Sequence, residues 1–433
     1  MPRSGTRGQE HRDPSVPGCG GQRFLRSSPE LLLRKWDCIR LIHSLTIPYI
    51  PSMKPKKVGV LGCGMIAELG HFPALKLVPG LSLEAVYDVN WNRALAMQHK
   101  FGIPHAYPTE SAFWESDLDA VVVCTPAPLH IANVMEAAAH GKHVLCEKPL
   151  AMSEGDIQRM IDRMAKAGLM LFTGFTYRFS GSAREIQRLV RSGAVGEVRS
   201  LRLNYLWNLH GKWTWTQGGE RIASPLRVGR MLEGGPMVDC GVHQIDLARW
   251  WLQSEVEWQR GIGVWVEDYQ APDHVYLHMG HACGAHTLVE MSFSYNATSR
   301  EPRSHFQYEL IGTDGVLRYN REEHSFELRN SHGTHWLPWH PEKNFAGMHT
   351  EFAHALATGE VRDMPTAMDG LMATRIARLA TEEAMRSREQ TSVEHPSTQI
   401  RAVDTAWSDL GSPLDTGEHE ESEQKDLEIP LEP

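Results

Sequence analysis

The sequence predicts two successive folded bodies: an α/β domain with a doubly wound parallel sheet, then an α+β domain with an open, mostly antiparallel mixed sheet. Three observations predict this. Between Lys57 and Gly174, short apolar runs alternate with stretches of helical period, the pattern of parallel strands covered by crossover helices. A glycine turn, Gly62-Cys63-Gly64-Met65-Ile66-Ala67, joins the first apolar run to the first helical stretch. After about residue 175 the texture changes to strands rich in Val, Tyr and Phe, with turns at Gly312-Thr313-Asp314-Gly315 and Asn330-Ser331.

Taken in order, Val58–Gly62 reads as a strand, Ile66–Val78 as a helix, Leu81–Asp88 as a strand and Trp91–Phe101 as a helix. Ala120–Thr125 (strand), His130–His140 (helix), His143–Cys146 (strand), Glu154–Ala167 (helix) and Leu169–Gly174 (strand) complete the first body. In the second, Ser182–Ser192 reads as a helix and Gly196–Trp207 as a strand. Residues 208–234 read as a long loop dense in Trp, Gly and charge, and Asp239–Leu252 as a helix. Several strands follow over 256–330, then late helices at Met348–Ala357 and Met368–Arg386. The chain thus divides into four segments: 1–52, 53–174, 175–388 and 389–433. Residues 1–52 have no sustained period and are expected to be a disordered extension, or to precede a natural start at Met53. The acidic segment 389–433 is expected to be a disordered tail.

The net charge of −9 is unevenly placed. Residues 389–433 hold twelve Asp/Glu against two Lys/Arg, and 1–53 hold eight Arg/Lys against four Asp/Glu. The remainder is therefore close to neutral, which gives no electrostatic footprint for nucleic acid. Seven cysteines without a CxxC pair read as free thiols in a reducing, cytoplasmic compartment. No apolar run reaches the ~18 residues of a membrane span, so no membrane partner is expected, and no metal-ligand spacing is present.

Gly62-x-Gly64-x-x-Ala67 lies between a predicted strand and a predicted helix, the context a dinucleotide-binding (Rossmann) turn requires. Gly62 permits the tight turn, Gly64 lets the main chain approach a pyrophosphate, and Met65 and Ile66 open the helix whose N-terminus favours an anion. Asp88 ends the next strand, where a carboxylate binds the adenosine ribose hydroxyls and repels a 2′-phosphate. The expected cofactor is NAD; Arg93 nearby leaves NADP open. The loop Thr125-Pro126-Ala127-Pro128-Leu129-His130 leaves the carboxyl end of a strand, so Thr125, Pro126 and His130 are candidates to touch the cofactor. A helix-start role for His130 is the alternative.

Oxidising a secondary alcohol requires a base for the hydroxyl proton and a donor for the developing oxyanion. Lys148, in Glu147-Lys148-Pro149, supplies a donor at the mouth of the crevice. Asp239 and His243 are four residues apart, so on a helix they share a face and supply an acid and a base; Asp246 reads as a structural carboxylate.

Together, G-x-G-x-x-A (62–67), T-P-x-x-x-H (125–130), E-K-P (147–149) and D-x-G-x-H-x-x-D (239–246) resemble the Gfo/Idh/MocA family, over roughly residues 56–388. The resemblance implies a Rossmann domain followed by an open sheet that often mediates oligomers, here a homodimer or homotetramer. It implies that Lys148, Asp239 and His243 occupy catalytic positions, with His243 as proton acceptor. Glu147 and Lys148 then also border the cofactor, and Tyr177 and Arg178 the substrate. Where the family often has an asparagine before that pair, this chain has Thr176.

Residues 208–234 are expected to choose the substrate. Trp207, Trp213 and Trp215 offer faces that stack on sugar rings; Asn208, His210, Lys212, Arg221 and Arg227 offer polar partners. Packing against the sheet or a neighbouring subunit is the alternative for each tryptophan. The expected activity is NAD(P)-dependent oxidoreduction at a secondary hydroxyl of a sugar, sugar derivative or cyclitol. Two other functions stay open: an NAD-dependent glycosidase with no net redox, and a non-catalytic NAD-binding sensor or scaffold.

Overall fold

The computed structural model describes residues 54–207, 213–216, 219–223, 225–295, 299 and 303–393, with the backbone alone at 213–215, 223, 225–227 and 389–393. The expected extension 1–52, the tail beyond 393, and Asn208, His210 and Lys212 lie outside the described residues, as do the side chains of Trp213, Trp215 and Arg227.

The predicted alternation becomes a six-stranded sheet. Strand β1 (Lys56–Leu61) runs through the glycine turn into a π-turn, Ala67–His71, and a short helix α1 (Phe72–Leu75). There follow β2 (Leu81–Tyr87), α2 (Trp91–Phe101), β3 (His105–Ala106), α3 (Glu110–Trp114), β4 (Ala120–Val123), α4 (His130–Ala139), β5 (His143–Cys146), α5 (Glu154–Lys166) and β6 (Leu171–Thr173). The order is β3-β2-β1-β4-β5-β6, with every pairing parallel. Val58, Val60, Val121, Val122, Val144 and Leu145 are fully buried, as strands covered on both faces must be. Strand order reverses between β1 and β4, so a crevice opens at their carboxyl ends. The helix expected over Ile66–Val78 is shorter and begins as a π-turn. β3 and α3 were not anticipated because two and five residues are too few for a period to register.

A short turn at Thr176–Phe179 leads to α6 (Gly181–Arg191) and β7 (Val198–Leu206). The stretch expected as one long loop instead holds a hairpin, β8 (Trp213–Trp215) with β9 (Arg221–Ala223), and helix α7 (Pro225–Leu232). Its high charge hid three-residue strands joined by a turn in which Gly219 takes a φ of +82°. A π-turn, Met237–Gly241, opens helix α8 (Val242–Leu252). Strands β10 (Val256–Val264), β11 (His274–His281), β12 (His286–Ser292), β13 (His305–Gly312), β14 (Gly315–Asn320), β15 (Ser325–Asn330) and β16 (Gly333–Trp336) join β7 in the order β10-β11-β12-β7-β13-β14-β15-β16. Only β12 and β7 run parallel.

Inward residues such as Leu201, Leu277 and Val289 pack on Ile245, Leu247 and Ala377. Gly261 of β10 lies against the main chain of Ala380, where a Cβ has no room.

The late helices, α9 (Phe345–Thr358) and α10 (Ala367–Val393), follow the second sheet in sequence. The 174/175 division placed them in the second domain, but Met348 and Phe352 of α9 sit in the first body's core with Phe72 and Phe172. Ala367 and Leu371 of α10 join Leu150 and Ile157, while Ala373 to Ala380 join the second core. No described helix is long and apolar enough to cross a membrane.

The turn at Thr176–Phe179 carries Arg178 into the interior. Its Nε donates to Asp246 Oδ2 at 2.7 Å, its Nη2 to Asp246 Oδ1 at 2.5 Å, and Nη2 also lies 3.1 Å from Asp369 Oδ1 on α10. The expectation that Arg178 meets substrate is corrected: its fork is buried and spent on two carboxylates. Replacing it by methionine should lower the unfolding free energy by about 3–5 kcal/mol, the cost of stranding a buried partner charge, in a urea melt. A loss below about 1 kcal/mol accompanied by weaker substrate binding would return Arg178 to the binding surface.

Candidate active site

Gly62 has a φ of +95°, and a Cβ there would lie 2.8 Å from the Cys124 main-chain carbon. Only glycine allows β1 and the end of β4 to come this close. Gly64 faces open space, Met65 is 69% exposed, and Ile66 is half-buried, so the turn presents main chain to the crevice. At the end of β2, Asp88 Oδ2 accepts from Cys63 N at 2.7 Å and Oδ1 from Asn90 N at 2.8 Å. This fixes a carboxylate beside the turn, and the donor set fits a dinucleotide: free main chain at the pyrophosphate position and an acceptor at the ribose position.

Thr125 Oγ1 donates to Asn133 Oδ1 at 2.6 Å, and Pro126 leads into a helical turn at Ala127–Leu129. His130 was a candidate either to touch the cofactor or to start a helix; it is the first residue of α4 and only 1% exposed, with Nε2 2.8 Å from Thr125 O and Nδ1 3.0 Å from Pro149 O. It fastens the loop after β4 to the loop after β5. The Glu147 carboxylate also points inward, 2.9 Å from His71 Nε2, and accepts the Lys148 N–H at 3.2 Å. It supports Lys148 instead of facing the crevice.

Lys148 crosses from the first body to the second. Its Nζ donates to Asp239 Oδ1 at 2.9 Å and to Asp239 O at 2.8 Å. Burial is the strongest influence and works against the ammonium, but the neighbouring acidic groups together, Asp239 foremost, raise the lysine above its ordinary value. An ammonium carries three donors; two are used, and among the described residues the third has no partner. Asp239 lies in the π-turn before α8 and also accepts from Arg230 Nη1 at 3.3 Å. Burial pushes the neighbouring Cys240 thiol up to about 12, so it stays neutral.

His243 begins α8. Its ring stacks on Tyr177, centroids 4.1 Å apart and planes 6° apart, and meets Phe175 edge-on at 5.6 Å. Burial, then the charges of Lys148 and Lys343, push its imidazole well below the ordinary value; it is neutral. Its buried Nδ1 has no hydrogen-bond partner. Tyr177 was expected at the substrate. It is 3% exposed and serves as the floor under His243.

Lys148, Asp239 and His243 are therefore brought together; Arg178 and His130 are not brought to them. Arg221 pairs with Glu267 at 3.3 Å, and Trp207 stacks on Tyr205 at 5.3 Å. Sequence reasoning missed Arg230, Lys343, His71 and His349. Arg230 lies three residues before Glu233 and pairs with it at 3.2 Å, a local spacing that was available as a signal.

Two models of one family match the chain. The description "Oxidoreductase family, NAD-binding Rossmann fold" covers residues 56–175, and "GFO/IDH/MocA C-terminal domain" covers 183–318. A myo-inositol 2-dehydrogenase of Thermotoga maritima is 33% identical over 46% of this chain and 56% of its own length, so the chain spans about half of that relative. An inositol 2-dehydrogenase of Acidothermus cellulolyticus is 27% identical over 76% of this chain and 93% of its own. Among solved structures, a probable dehydrogenase from Thermotoga maritima superposes with a TM-score of 0.63 at 26% identity, over 77% of this chain and 97% of the other. With a parallel sheet whose first strand runs into the glycine turn, and a second domain whose π-turn and helix supply Asp239 and His243, the chain belongs to the Gfo/Idh/MocA family of NAD-binding oxidoreductases.

Proposed function

We propose that the protein is an NAD-dependent oxidoreductase acting on a secondary hydroxyl of a sugar, sugar derivative or cyclitol. One observation carries the reading: an ammonium with a spare donor beside a neutral imidazole. That pair matches what a hydroxyl needs as it loses its proton. The names of the two inositol dehydrogenases among its relatives support the substrate class.

Gly62, Gly64, Met65 and Ile66 would hold the pyrophosphate and Asp88 the adenosine ribose, and NAD supplies the hydride acceptor when bound. The remaining work falls to this chain's side chains. A bare ring nitrogen of His243 takes the hydroxyl proton. Lys148 donates its third N–H to the same oxygen and stabilises the charge that develops there. Asp239 keeps Lys148 protonated and aimed.

The outer face of β10–β12 supports self-association through the second sheet. Trp258, Ile262, Tyr276 and Leu288 are 46, 56, 41 and 44% exposed there, and the ladder pairs Ile262 with Tyr276. Light scattering should report a dimer or tetramer that Ile262→Glu disrupts; a monomer in the natural protein would count against this face.

A screen of sugars and cyclitols that follows NADH absorbance and aryl-glycoside cleavage together tests the main reading. Chromophore release without net NADH would favour the glycosidase, and bound NADH with neither signal the sensor. On the sugar or cyclitol identified, His243→Ala should lower turnover by about 10²–10⁴-fold, the range for a general base. NADH affinity should hold. Lys148→Ala should cost a similar factor and raise KM, and the double variant should lose less than the product of the two, since both act on one oxygen. Because the depressed imidazole stays neutral, oxidation should not fall as pH drops from 8 to about 6.5, the ordinary histidine value; it should fall only below. Near-full activity in His243→Ala would remove the proposed base.

Cofactor choice has its own test. NAD should bind more tightly than NADP, and Asp88→Ala should narrow the gap by removing both an acceptor and a repelling charge. Equal affinities in the natural protein would sink the role given to Asp88.

A further inference from the structure

Behind Lys148 lie three buried titratable groups that the chemistry above does not use. Glu147 Oε1 is 2.9 Å from His71 Nε2, and His71 Nδ1 is 3.0 Å from His349 Nε2. Both histidines are 0% exposed and Glu147 is 6% exposed. They come from three places in the fold: the loop after β5, the π-turn behind the glycine loop, and helix α9. Phe345 closes the chain from the side, its ring 5.0 Å from that of His71. Glu147 Oε2 accepts the Lys148 N–H. An unbroken line of hydrogen bonds therefore runs from α9 to the main chain of the lysine.

The protons can be placed. Burial pushes His349 well below the ordinary imidazole value, so it is neutral with one N–H. Burial acts to raise Glu147, but the His71 bond and the Lys148 charge win and hold its carboxyl below the ordinary range; it is a carboxylate. If His349 carries its proton on Nε2, it donates to His71 Nδ1, and His71 donates from Nε2 to Glu147. Every donor is then used, and the one orphan is His349 Nδ1, an acceptor, which has no partner. The other His349 tautomer would bury an orphan donor at that atom. It would also push the His71 proton to Nδ1, leaving two lone pairs facing each other between His71 Nε2 and Glu147 Oε1, unless His71 took a second proton. Neutral His349 with Nε2–H is the arrangement that costs no buried donor.

We propose that His349 is a positioning residue for Lys148: its Nε2–H fixes the His71 tautomer, His71 fixes the Glu147 carboxylate, and Glu147 fixes the Lys148 main chain. Through this line a helix formed some 200 residues later in the chain sets the aim of the proposed catalytic ammonium, as outer partners set metal-bound imidazoles. The idea rests on the reading of Lys148 as the group that holds the substrate oxygen, but its test does not require a substrate.

Two variants of the full chain separate positioning from packing. In His349→Gln the amide N–H occupies the place of the imidazole Nε2–H; in His349→Leu the space is filled and the donor is gone. Amide hydrogen exchange, resolved to the peptide holding Glu147 and Lys148, should quicken at the Lys148 amide by about three- to tenfold in the leucine variant, the effect of losing one hydrogen bond. Acetylation of Lys148 by an N-hydroxysuccinimide acetate should change in that variant too. The glutamine variant should keep the natural rates, and amides of β7 and β13 should be unmoved in both. Equal exchange at Lys148 in the leucine variant and the natural protein would overturn the proposal. So would a glutamine variant that behaves like leucine, since that marks a packing role alone. Should His349→Leu fail to fold, His349→Met gives the same comparison. If His243→Ala abolishes turnover while both His349 variants exchange like the natural protein, the enzymatic reading stands and this one falls. If no sugar is turned over yet the variants split, the line of bonds stands and the role of Lys148 is reopened.

Discussion

The bond between Lys148 and Asp239 is the constraint on which the site depends. It joins the end of β5 to the π-turn before α8, and so fixes the first sheet against the second at the crevice. Both side chains are largely out of water, at 15% and 5% exposure. Such a pair gains little net stability over apolar packing, and removing one member strands the other. The surroundings therefore complete it: Asp239 takes Arg230 as a second donor, and Arg230 is in turn held by Glu233. A structure that only needed to join two sheets would do so more cheaply with leucines. Retaining a charged pair with one donor to spare makes sense where a third polar group, a hydroxyl, is to arrive.

Two π-turns place the groups that matter. One, at Ala67–His71, ends on His71; the other, at Met237–Gly241, holds Asp239. A π-turn widens a helix by one residue and re-aims the side chains around it, which is why such turns gather at functional sites. Ahead of the second, Gly234 and Gly235 take φ values of +123° and +72°. A Cβ on Gly235 would stand 3.0 Å from Pro272 O. These two residues let the chain swing from α7 into the π-turn without displacing the loop before β11.

What was legible in the sequence was local. The glycine turn, Asp88 at the end of its strand, the lysine after β5 and the four-residue step from Asp239 to His243 all follow from neighbours in the chain; the strands formed as expected, whereas the helices expected from Ile66 and from Asp239 each begin with a π-turn. What was hidden was inward or distant. Tyr177, Arg178, His130 and Glu147 are polar residues that motif reasoning sends toward a ligand, yet each is turned into the core by a partner far away in sequence: His243, Asp246, Pro149 and His71. Arg178 needed Asp246 and Asp369 together, and no spacing announces a carboxylate 191 residues downstream of it. Likewise His349 meets His71 across a separation of 278 residues. Late helix α9 reads as an ordinary amphipathic segment, and nothing in its period says which sheet it will cover.

The positive charge of Lys148 acts on two protons at once. It adds to burial, the larger cause, in depressing His243, which by itself makes the imidazole a weaker base. The same ammonium, donating to a substrate oxygen, would lower the pKa of that hydroxyl and make its proton easier to take. The second effect is the larger where the hydrogen bond is direct, because the oxygen would touch the ammonium whereas the imidazole feels it only through space. A base of low pKa is then an advantage: it stays bare across the neutral range and gives its proton up readily in the reverse direction. Tyr177 beneath the ring supplies the rest, since a face-to-face contact at 4.1 Å holds the imidazole plane. On this argument Lys148 and His243 are matched to each other, and a change that weakened the Lys148–Asp239 bond would disturb the base as well as the oxyanion donor.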